Sequence, residues 1–365
     1  MKGPTASPFS RRSILGAAGA AGAGWALAAC STSGGRSEGG DAAAATSGSS
    51  ASDTGFTDAD FAALKGAKLG VVGINLQGPT VARGVQIMTD MSKKYDFSLE
   101  AVSSDFDLSK TNDTMRVWSD KKYDGIIIAN TEAANISEGL DAAKEAGVPV
   151  GGFYCGVAPG MAFDVGANEF ISGMRCATYI QQRLAAVGGD KGIAIFGYTP
   201  LANLRERELC VKTQADYFKT PILNRHEVNA DSSVPDVQNT TADLLTKYPA
   251  GGDLGAIFVG WDQGGYAAVS AIEAAGRDDV FVVSIDGEEA NLDSIRKGGP
   301  QGATCLNDMV AVSNVILSEL GKMIGGAEPP KNPQIYVDAP LITIANLPAS
   351  GIPTGSGLTP YYTGE

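Results

Sequence analysis

The residues that could do chemistry in this chain stand in short polar groups, each directly after a run of apolar residues. They are amides, carboxylates and aromatic rings rather than nucleophiles. The groups are Asn75-Leu76-Gln77, Asn130-Thr131-Glu132, Tyr154-Cys155, Tyr198-Thr199, Trp261-Asp262-Gln263, Asp286-Gly287-Glu288 and Asn307-Asp308. Carboxylates and amides exchange hydrogen bonds with paired hydroxyls, and a flat ring packs against the C–H face of a sugar. These groups therefore predict a binding site for a neutral polyhydroxyl compound.

The same groups give little support for catalysis. They contain no Ser/His/Asp or Cys/His set, and the single histidine, His226, falls within an apolar run and is interpreted as structural. Paired Asp and Glu residues could indicate a glycosidase, whose two carboxyl groups stand about 5 to 10 Å apart. Nothing else in the sequence favours that interpretation. We predict that the protein is not an enzyme and uses no cofactor or metal.

Alternating apolar runs and amphipathic stretches would position these groups. We predict strands over 68–74, 97–102, 125–129, 148–153, 161–165, 192–196, 222–228, 254–259, 280–285 and 302–306. Helices are predicted over 81–95, 110–121, 136–146, 170–187, 204–218, 234–247, 265–275 and 290–297. This alternation, with Ile and Val dominating the strands, predicts an α/β fold of two doubly wound parallel-sheet lobes. Ligands bind such sheets beyond the carboxyl ends of the strands, where the polar groups stand.

The first thirty residues resemble an export signal that ends at a lipidation site. Arg11 and Arg12 precede small and apolar residues over 14–29, and Leu27-Ala28-Ala29 precedes Cys30. Paired arginines are typical of twin-arginine signals, and small residues before a cysteine are typical of bacterial lipoproteins. A spanning helix is the alternative, but this stretch is shorter than the roughly 20 apolar residues that one needs. We predict that residues 1–29 are removed and that lipid on Cys30 anchors the protein to the outer face of the cytoplasmic membrane.

Composition divides the rest of the chain and excludes one class of partner. Residues 30–65 are rich in Gly, Ala and Ser and are predicted to form a flexible tether. Residues 351–365 are predicted to be a tail. The formal net charge is −13 at pH 7 and is spread along the chain, so nucleic acid is not expected as a partner.

Four cysteines follow Cys30, at Cys155, Cys176, Cys210 and Cys305. None stands in a C-x-x-C pair or near a cluster of histidines, so zinc binding and redox chemistry are disfavoured. Export would permit disulfides, and Cys176 with Cys210, or Cys155 with Cys305, could pair. Buried free thiols are at least as good an interpretation.

From residue 68 to about residue 347 the chain resembles the sugar-binding proteins of the ribose-binding type, the solute receptors of ABC importers. The matching segments are Lys68-Leu-Gly-Val-Val-Gly, Tyr123-Asp-Gly-Ile-Ile-Ile, Ala146-Gly-Val-Pro-Val, Leu204-Arg-Glu-Arg-Glu, Ala256-Ile-Phe-Val-Gly-Trp-Asp and Val282-Val-Ser-Ile-Asp-Gly. The resemblance implies a type I periplasmic binding protein, whose two lobes are joined by a three-crossing hinge and close on a sugar. We expect an N-terminal lobe over 66–167 and 308–335, and a C-terminal lobe over 168–307 and 336–350.

The resemblance also assigns ligand contacts to Arg207, Asp286 and Asn307. Each also has a structural interpretation: Arg207 could be a charge on a helix surface, Asp286 could cap the helix that follows it, and Asn307 could belong to a turn. The chain departs from the family pattern at Gln77, at Tyr154-Cys155 and at Trp261-Asp262. These departures move a stacking ring from one lobe to the other, so we do not predict ribose as the ligand. We predict a monosaccharide or sugar alcohol as the ligand. The predicted ligand-binding residues are Asp286, Arg207, Asn307, Trp261, Tyr154, Asn75, Gln77 and Asp262.

Three roles use this kind of two-lobed binding unit. A transcription regulator of the lactose-repressor type shares it, but here an export signal stands in place of a DNA-binding headpiece. The predicted role is delivery of the ligand to the permease of an ABC importer. A receptor that reports a sugar or sugar-like signalling molecule to a membrane sensor is the alternative, because the same closed form would serve both roles.

Overall fold

The structure is a computed structural model that describes residues 56–351. The predicted signal, the lipidation site at Cys30 and the predicted tail beyond residue 351 lie outside the described residues. The described residues begin inside the predicted tether, where Asp58–Leu64 forms a 3-10 helix that buries Phe61 and Leu64. Because these two side chains join the first hydrophobic core, the tether predicted over 30–65 does not extend to residue 65.

Strands and helices alternate along the described chain. The strands are β1 (Lys68–Gly73), β2 (Ser98–Ser103), β3 (Gly125–Ala129), β4 (Val150–Phe153), β5 (Phe163–Ala167), β6 (Gly192–Gly197), β7 (Ile222–Glu227), β8 (Leu254–Val259), β9 (Phe281–Asp286), β10 (Gln301–Leu306), β11 (Gln334–Val337) and β12 (Leu341–Ile342). The helices are α1 (Pro79–Tyr95), α2 (Leu108–Asp120), α3 (Ser137–Ala146), α4 (Glu169–Val187), α5 (Ala202–Phe218), α6 (Ser233–Lys247), α7 (Asp262–Ala274), α8 (Glu289–Arg296) and α9 (Met309–Ile324). Every predicted strand and helix is present, with ends close to the predicted ones.

The strands of the described chain form two sheets of six strands each. The first has the order β11-β5-β4-β3-β1-β2 and is parallel throughout. The second has the order β12-β10-β9-β8-β6-β7, in which only β12 runs antiparallel to its neighbour. Both sheets therefore repeat one doubly wound scheme, and the predicted fold class is confirmed.

Helices cover both faces of each sheet, because successive side chains of a strand point to opposite faces. In β3, Ile127 packs on the side of α1 and α9, whereas Ile126 and Ile128 pack on the side of α2 and α3. In β6, Ile195 packs with α4 and α5, and Phe196 packs with α6 and α7. The nearly continuous apolar strands that predicted doubly covered sheets thus fill two cores per lobe.

The chain passes between the two sheets three times within the described residues, after β5, after β10 and after β11. The second passage leads into α9, which the sequence reading missed. Eleven of the residues of α9 are buried, so the helix lacks the polar face that marks an amphipathic pattern. The lobe ranges remain a prediction, and strand β11 pairs with β5 as far as Val337, beyond the residue 335 expected for the N-terminal lobe.

The four cysteines of the described chain are free and buried. The thiol of Cys176 lies 3.6 Å from that of Cys305, and that of Cys210 donates instead to the carbonyl oxygen of Phe170 at 3.3 Å. The four cysteines are therefore buried free thiols, and neither of the two suggested disulfides is formed. In residues 56–351 we also find no helix long and apolar enough to cross a membrane.

Candidate ligand-binding cleft

A cavity of about 210 Å³ lies where the carboxyl ends of strands from both sheets face each other. Residues at or just beyond the carboxyl ends of β1, β3 and β4 line it from the first lobe, and residues at or just beyond those of β8, β9 and β10 line it from the second. From the first lobe these are Asn75, Asn130 and Tyr154, and from the second Trp261, Asp286 and Asn307. The cavity thus occupies the position at which doubly wound sheets bind ligands.

A buried arginine organises the second-lobe side of this cavity. Arg207 is only 2% exposed and forms a bidentate pair with Glu169, at 2.6 Å from Nε to Oε2 and 2.8 Å from Nη2 to Oε1. Its Nη1 donates to the carbonyl oxygen of Gly260 at 2.7 Å and to Oδ1 of Asp286 at 3.3 Å. Burial alone would lower the pKa of Arg207, but the two carboxylates raise it above its ordinary value. The guanidinium therefore stays charged and holds Asp286 in place.

A glycine allows this ion pair to form. Gly173 lies one turn after Glu169 on α4, and a Cβ there would come within 2.9 Å of the Arg207 backbone on α5. Only glycine permits so close an approach of the two helices at this position. The sequence therefore brings a carboxylate and a guanidinium from neighbouring helices into one buried contact.

Asp286 combines a strained backbone with a shifted pKa. Its φ angle is 143°, a value that non-glycine residues rarely adopt, and such strain is common at ligand sites. The Nδ2 atom of Asn307 donates to Asp286 Oδ1 at 2.9 Å. Burial raises the pKa of Asp286 to about 7, with Arg207 opposing the shift and the charge of Asp262 adding to it. Asn130 and Tyr154 also have positive φ angles, of 45° and 60°, so strain recurs at strand ends around the cavity.

Two buried polar atoms at the cavity have no hydrogen-bond partner among the described residues. They are Oδ1 of Asn307, which is 2% exposed, and the hydroxyl of Tyr154. Because Asn307 Nδ2 already donates to Asp286, the free atom of the amide is the acceptor. Burial, reinforced by the charge of Glu169, raises the pKa of Tyr154 well above its ordinary value, so its hydroxyl remains a donor. Buried polar groups are normally paired, so a ligand or a water molecule would complete the hydrogen bonding of these two atoms.

Glu288 lies at the edge of the same cavity and is only half-buried. Its carboxyl group forms no hydrogen bond or ion pair with the described residues, although its backbone N–H donates to Asp262 Oδ2 at 2.7 Å. Burial raises the pKa of Glu288 to about 8, and the negative charges of Asp286 and Asp262 add to the shift. Two carboxyl groups with raised pKa values, those of Asp286 and Glu288, therefore line one side of the cavity.

The structure brings together six of the eight predicted ligand-binding residues. Those that line the cavity are Asp286, Arg207, Asn307, Trp261, Tyr154 and Asn75. Gln77 is exposed and lies outside the lining. Asp262 is fully buried behind the lining, where it accepts hydrogen bonds from Ser284 and from Thr304 Oγ1 at 2.8 Å. Its position suits a supporting role, because it holds the backbone of Glu288.

Further residues line the cavity or support its lining but were not among the predicted ligand contacts. Asn130, Tyr198, Gln263 and Glu288 follow strands, and the strand-end rule contained them all. No sequence pattern identified Glu169, because it is the first residue of helix α4 and its role, the ion pair with Arg207, depends on how α4 and α5 pack. Phe106 and Phe153 add aromatic surface from the first lobe.

Residues 70–328 match the periplasmic binding protein domain. The chain belongs to the periplasmic binding protein family. Its members are substrate-binding components of transport systems, so this periplasmic binding protein is not an enzyme, as its strand-end residues predicted. The resemblance read from its sequence segments is likewise confirmed.

Solved structures share the fold of this periplasmic binding protein at low sequence identity. An ABC transporter solute-binding protein from Mycobacterium smegmatis with bound glycerol matches with a TM-score of 0.69 at 20% identity, over 79% of this chain and 99% of the other. An ABC sugar transporter subunit from Rhodobacter sphaeroides matches with a TM-score of 0.68 at 20% identity, over 78% and 100%. A solute-binding protein from Agrobacterium vitis with bound allitol matches with a TM-score of 0.68 at 18% identity, over 78% and 97%.

Proposed function

We propose that this protein is an extracytoplasmic solute-binding lipoprotein that captures a monosaccharide or sugar alcohol between its lobes and delivers it to an ABC importer. The observation that carries the proposal is the cleft itself, in which aromatic rings surround polar atoms that have no partner of their own. The structural relatives that hold glycerol and allitol support a polyhydroxyl ligand. Lipid on Cys30 would keep the loaded protein close to the permease.

The polar groups of the cleft suit hydroxyl pairs. Asp286, fixed by Arg207 and Asn307, would accept from one hydroxyl, and Asn307 Oδ1 would accept from another. The Tyr154 hydroxyl would donate to a sugar oxygen, and Trp261 would cover the carbon face of the ring. Micromolar affinity corresponds to about −8 kcal/mol, which several hydrogen bonds to charged groups and one ring contact can supply.

An exposed ion pair between the two lobes supports capture by closure. Arg205 on α5 of the second lobe lies 3.6 Å from Glu132, which follows β3 of the first lobe, and both side chains are about two-fifths exposed. An exposed pair of this kind contributes about 1 kcal/mol or less. It can therefore favour the closed form without preventing release of the ligand.

Thermal unfolding of the mature chain, residues 31–365, against pentoses, hexoses and short polyols tests the proposal. A ligand that binds only the folded protein raises the unfolding midpoint with concentration. We expect one small set of polyols to do so, and Asp286→Ala to remove the rise. No rise with any of these compounds would contradict the proposed function.

A further inference from the structure

The charges that line the cavity do not balance. Arg207, Asp286 and Glu288 are its charged lining residues. Arg207 is already engaged in a bidentate pair with Glu169, at 2.6 and 2.8 Å, and only its longer 3.3 Å contact reaches Asp286. A further carboxylate, Asp262, lies buried directly behind. The second-lobe side of the cavity therefore holds more carboxyl groups than its one guanidinium can neutralise.

No cation of residues 56–351 forms an ion pair with Glu288. Arg83 of α1 lines a neighbouring cavity together with Glu288 and Glu289, yet it forms no ion pair with either. Arg205 is occupied by Glu132 and by the carbonyl oxygen of Thr199. The N-terminus of α1 also faces this region, but a helix dipole amounts to only about half a charge at its end. Glu288 is also the N-cap residue of α8, whose dipole adds a similar partial charge, so it has no full positive charge paired with it among the described residues.

A third acceptor lies beside the two carboxyl groups. Oδ1 of Asn307 is buried and has no partner, and its amide is oriented by the Nδ2 contact with Asp286. We call Asp286, Glu288 and Asn307 Oδ1 the acceptor corner. All three line both the ligand cavity and the neighbouring cavity at the start of α1. A ligand group that satisfies this corner must be rich in donors.

We infer that the ligand carries a protonated amine, which makes the substrate class an amino sugar or an amine-bearing polyol. This inference rests on the proposed function and sharpens it. An ammonium group has three donors, no acceptor and a positive charge, so it matches the acceptor corner in both hydrogen bonding and charge. A neutral hydroxyl would supply a single donor and leave the carboxyl groups uncompensated.

The protonation of the empty site agrees with this geometry. Burial, with the charges of Asp262 and Glu169, raises the pKa of Asp286 to about 7. Burial, with the charges of Asp286 and Asp262, raises the pKa of Glu288 to about 8, so protons occupy the corner when no ligand does. An ammonium favours the ionised carboxylates and displaces those protons. Affinity for an amine should therefore rise as pH increases from about 6 to about 8, whereas affinity for a neutral polyol should stay level or fall.

Titration calorimetry of the mature protein with matched compounds tests the inference. Each pair differs only by an amine, such as a polyol and its terminal-amino analogue, or a hexose and the corresponding hexosamine. We expect the terminal-amino polyol to bind at least tenfold more tightly than its neutral partner at about pH 8, with proton release, and more weakly at about pH 6. Equal or tighter binding of the neutral compound would overturn the inference and leave the proposed function standing. The absence of binding by both members of every pair would overturn the proposed function itself.

Two variants locate the effect. Glu288→Gln should weaken binding of the amine ligand about tenfold more than binding of its neutral partner, because only the amine carries a charge for the carboxylate to pair with. Glu289→Gln removes the same charge from the next residue, which is exposed and does not line the ligand cavity. An equal loss in both variants would show a diffuse charge effect and would contradict an ammonium site at the acceptor corner.

Discussion

The two faces of the cleft differ in charge. The first-lobe face presents Asn75, Asn130 and Tyr154 among its lining residues, and none of its members is charged. The charged lining residues, Arg207 and two carboxyl groups, all belong to the second lobe. Buried charges need partners in fixed geometry, since leaving one uncompensated costs several kcal/mol. Because these lining charges all lie in one lobe, movement of the lobes would not separate them, and the lining residues that face them from the first lobe are neutral.

The largest effect should follow from breaking the charged face. Arg207→Ala leaves Glu169 and Asp286 buried without their cation, so we expect a loss of about 3 to 5 kcal/mol in the free energy of unfolding by urea. Arg205→Ala, which breaks the exposed ion pair with Glu132, should cost about 1 kcal/mol or less. The double variant Glu169→Gln with Arg207→Met should recover part of the loss, because it removes both charges. Equal effects of the two single arginine variants would contradict the assigned role.

The next effect concerns binding rather than folding. Asp286→Ala removes the acceptor that Arg207 and Asn307 hold in place, so we expect affinity for the best ligand to fall by about 2 to 5 kcal/mol. Titration calorimetry measures this loss, and circular dichroism checks that the fold is kept. Asp293→Ala is the matched control, because Asp293 lies on α8 and pairs with Arg296 away from the cleft. Retained affinity in the Asp286 variant would remove that residue from the site.

The smallest effect should come from the neutral face. Tyr154→Phe removes a buried hydroxyl that has no partner in the described chain, so the unfolding free energy should change little. Affinity should fall by about 1 kcal/mol, or roughly fivefold, because the ligand loses one hydrogen bond. Tyr95→Phe is the control, since the Tyr95 hydroxyl contacts Asp58 at the surface. A large loss of stability in the Tyr154 variant would show that the hydroxyl has a structural partner instead.

Local patterns predicted the fold well, because each strand and helix carries its own period. Helix α9 and the short strands β11 and β12 are the exceptions. The burial of most of α9 erases its period, and strands of four and two residues are too short to show one. Element positions also predicted where the cleft lies. Element positions do not show which side chain of a strand-end group turns into the cavity. The predicted ligand contacts therefore include Asp262, which is buried behind the lining, and omit Glu288, which lines the cavity.

Contacts between distant segments were beyond the sequence. Glu169 and Arg207 stand on different helices, and no spacing rule relates them before the helices pack. The cysteines show the same limit of the sequence. Cys176 and Cys210 are a possible pair because their helices flank one strand, but the side chain of Cys176 turns toward Cys305 on β10. The face that a helical residue presents depends on packing across the whole lobe.

The buried thiols of the second lobe can report local unfolding of that lobe. Cys176 and Cys305 are fully buried within its core, whereas Cys155 of the first lobe lines a cavity that residues of both lobes share. Rotation of the lobes about the hinge would leave the second-lobe core packed, so a thiol reagent would not reach Cys176 or Cys305. Labelling of these two thiols would therefore require local unfolding, and its rate would measure how often the second lobe unfolds locally. The protein thus carries a way to separate functional movement from loss of structure.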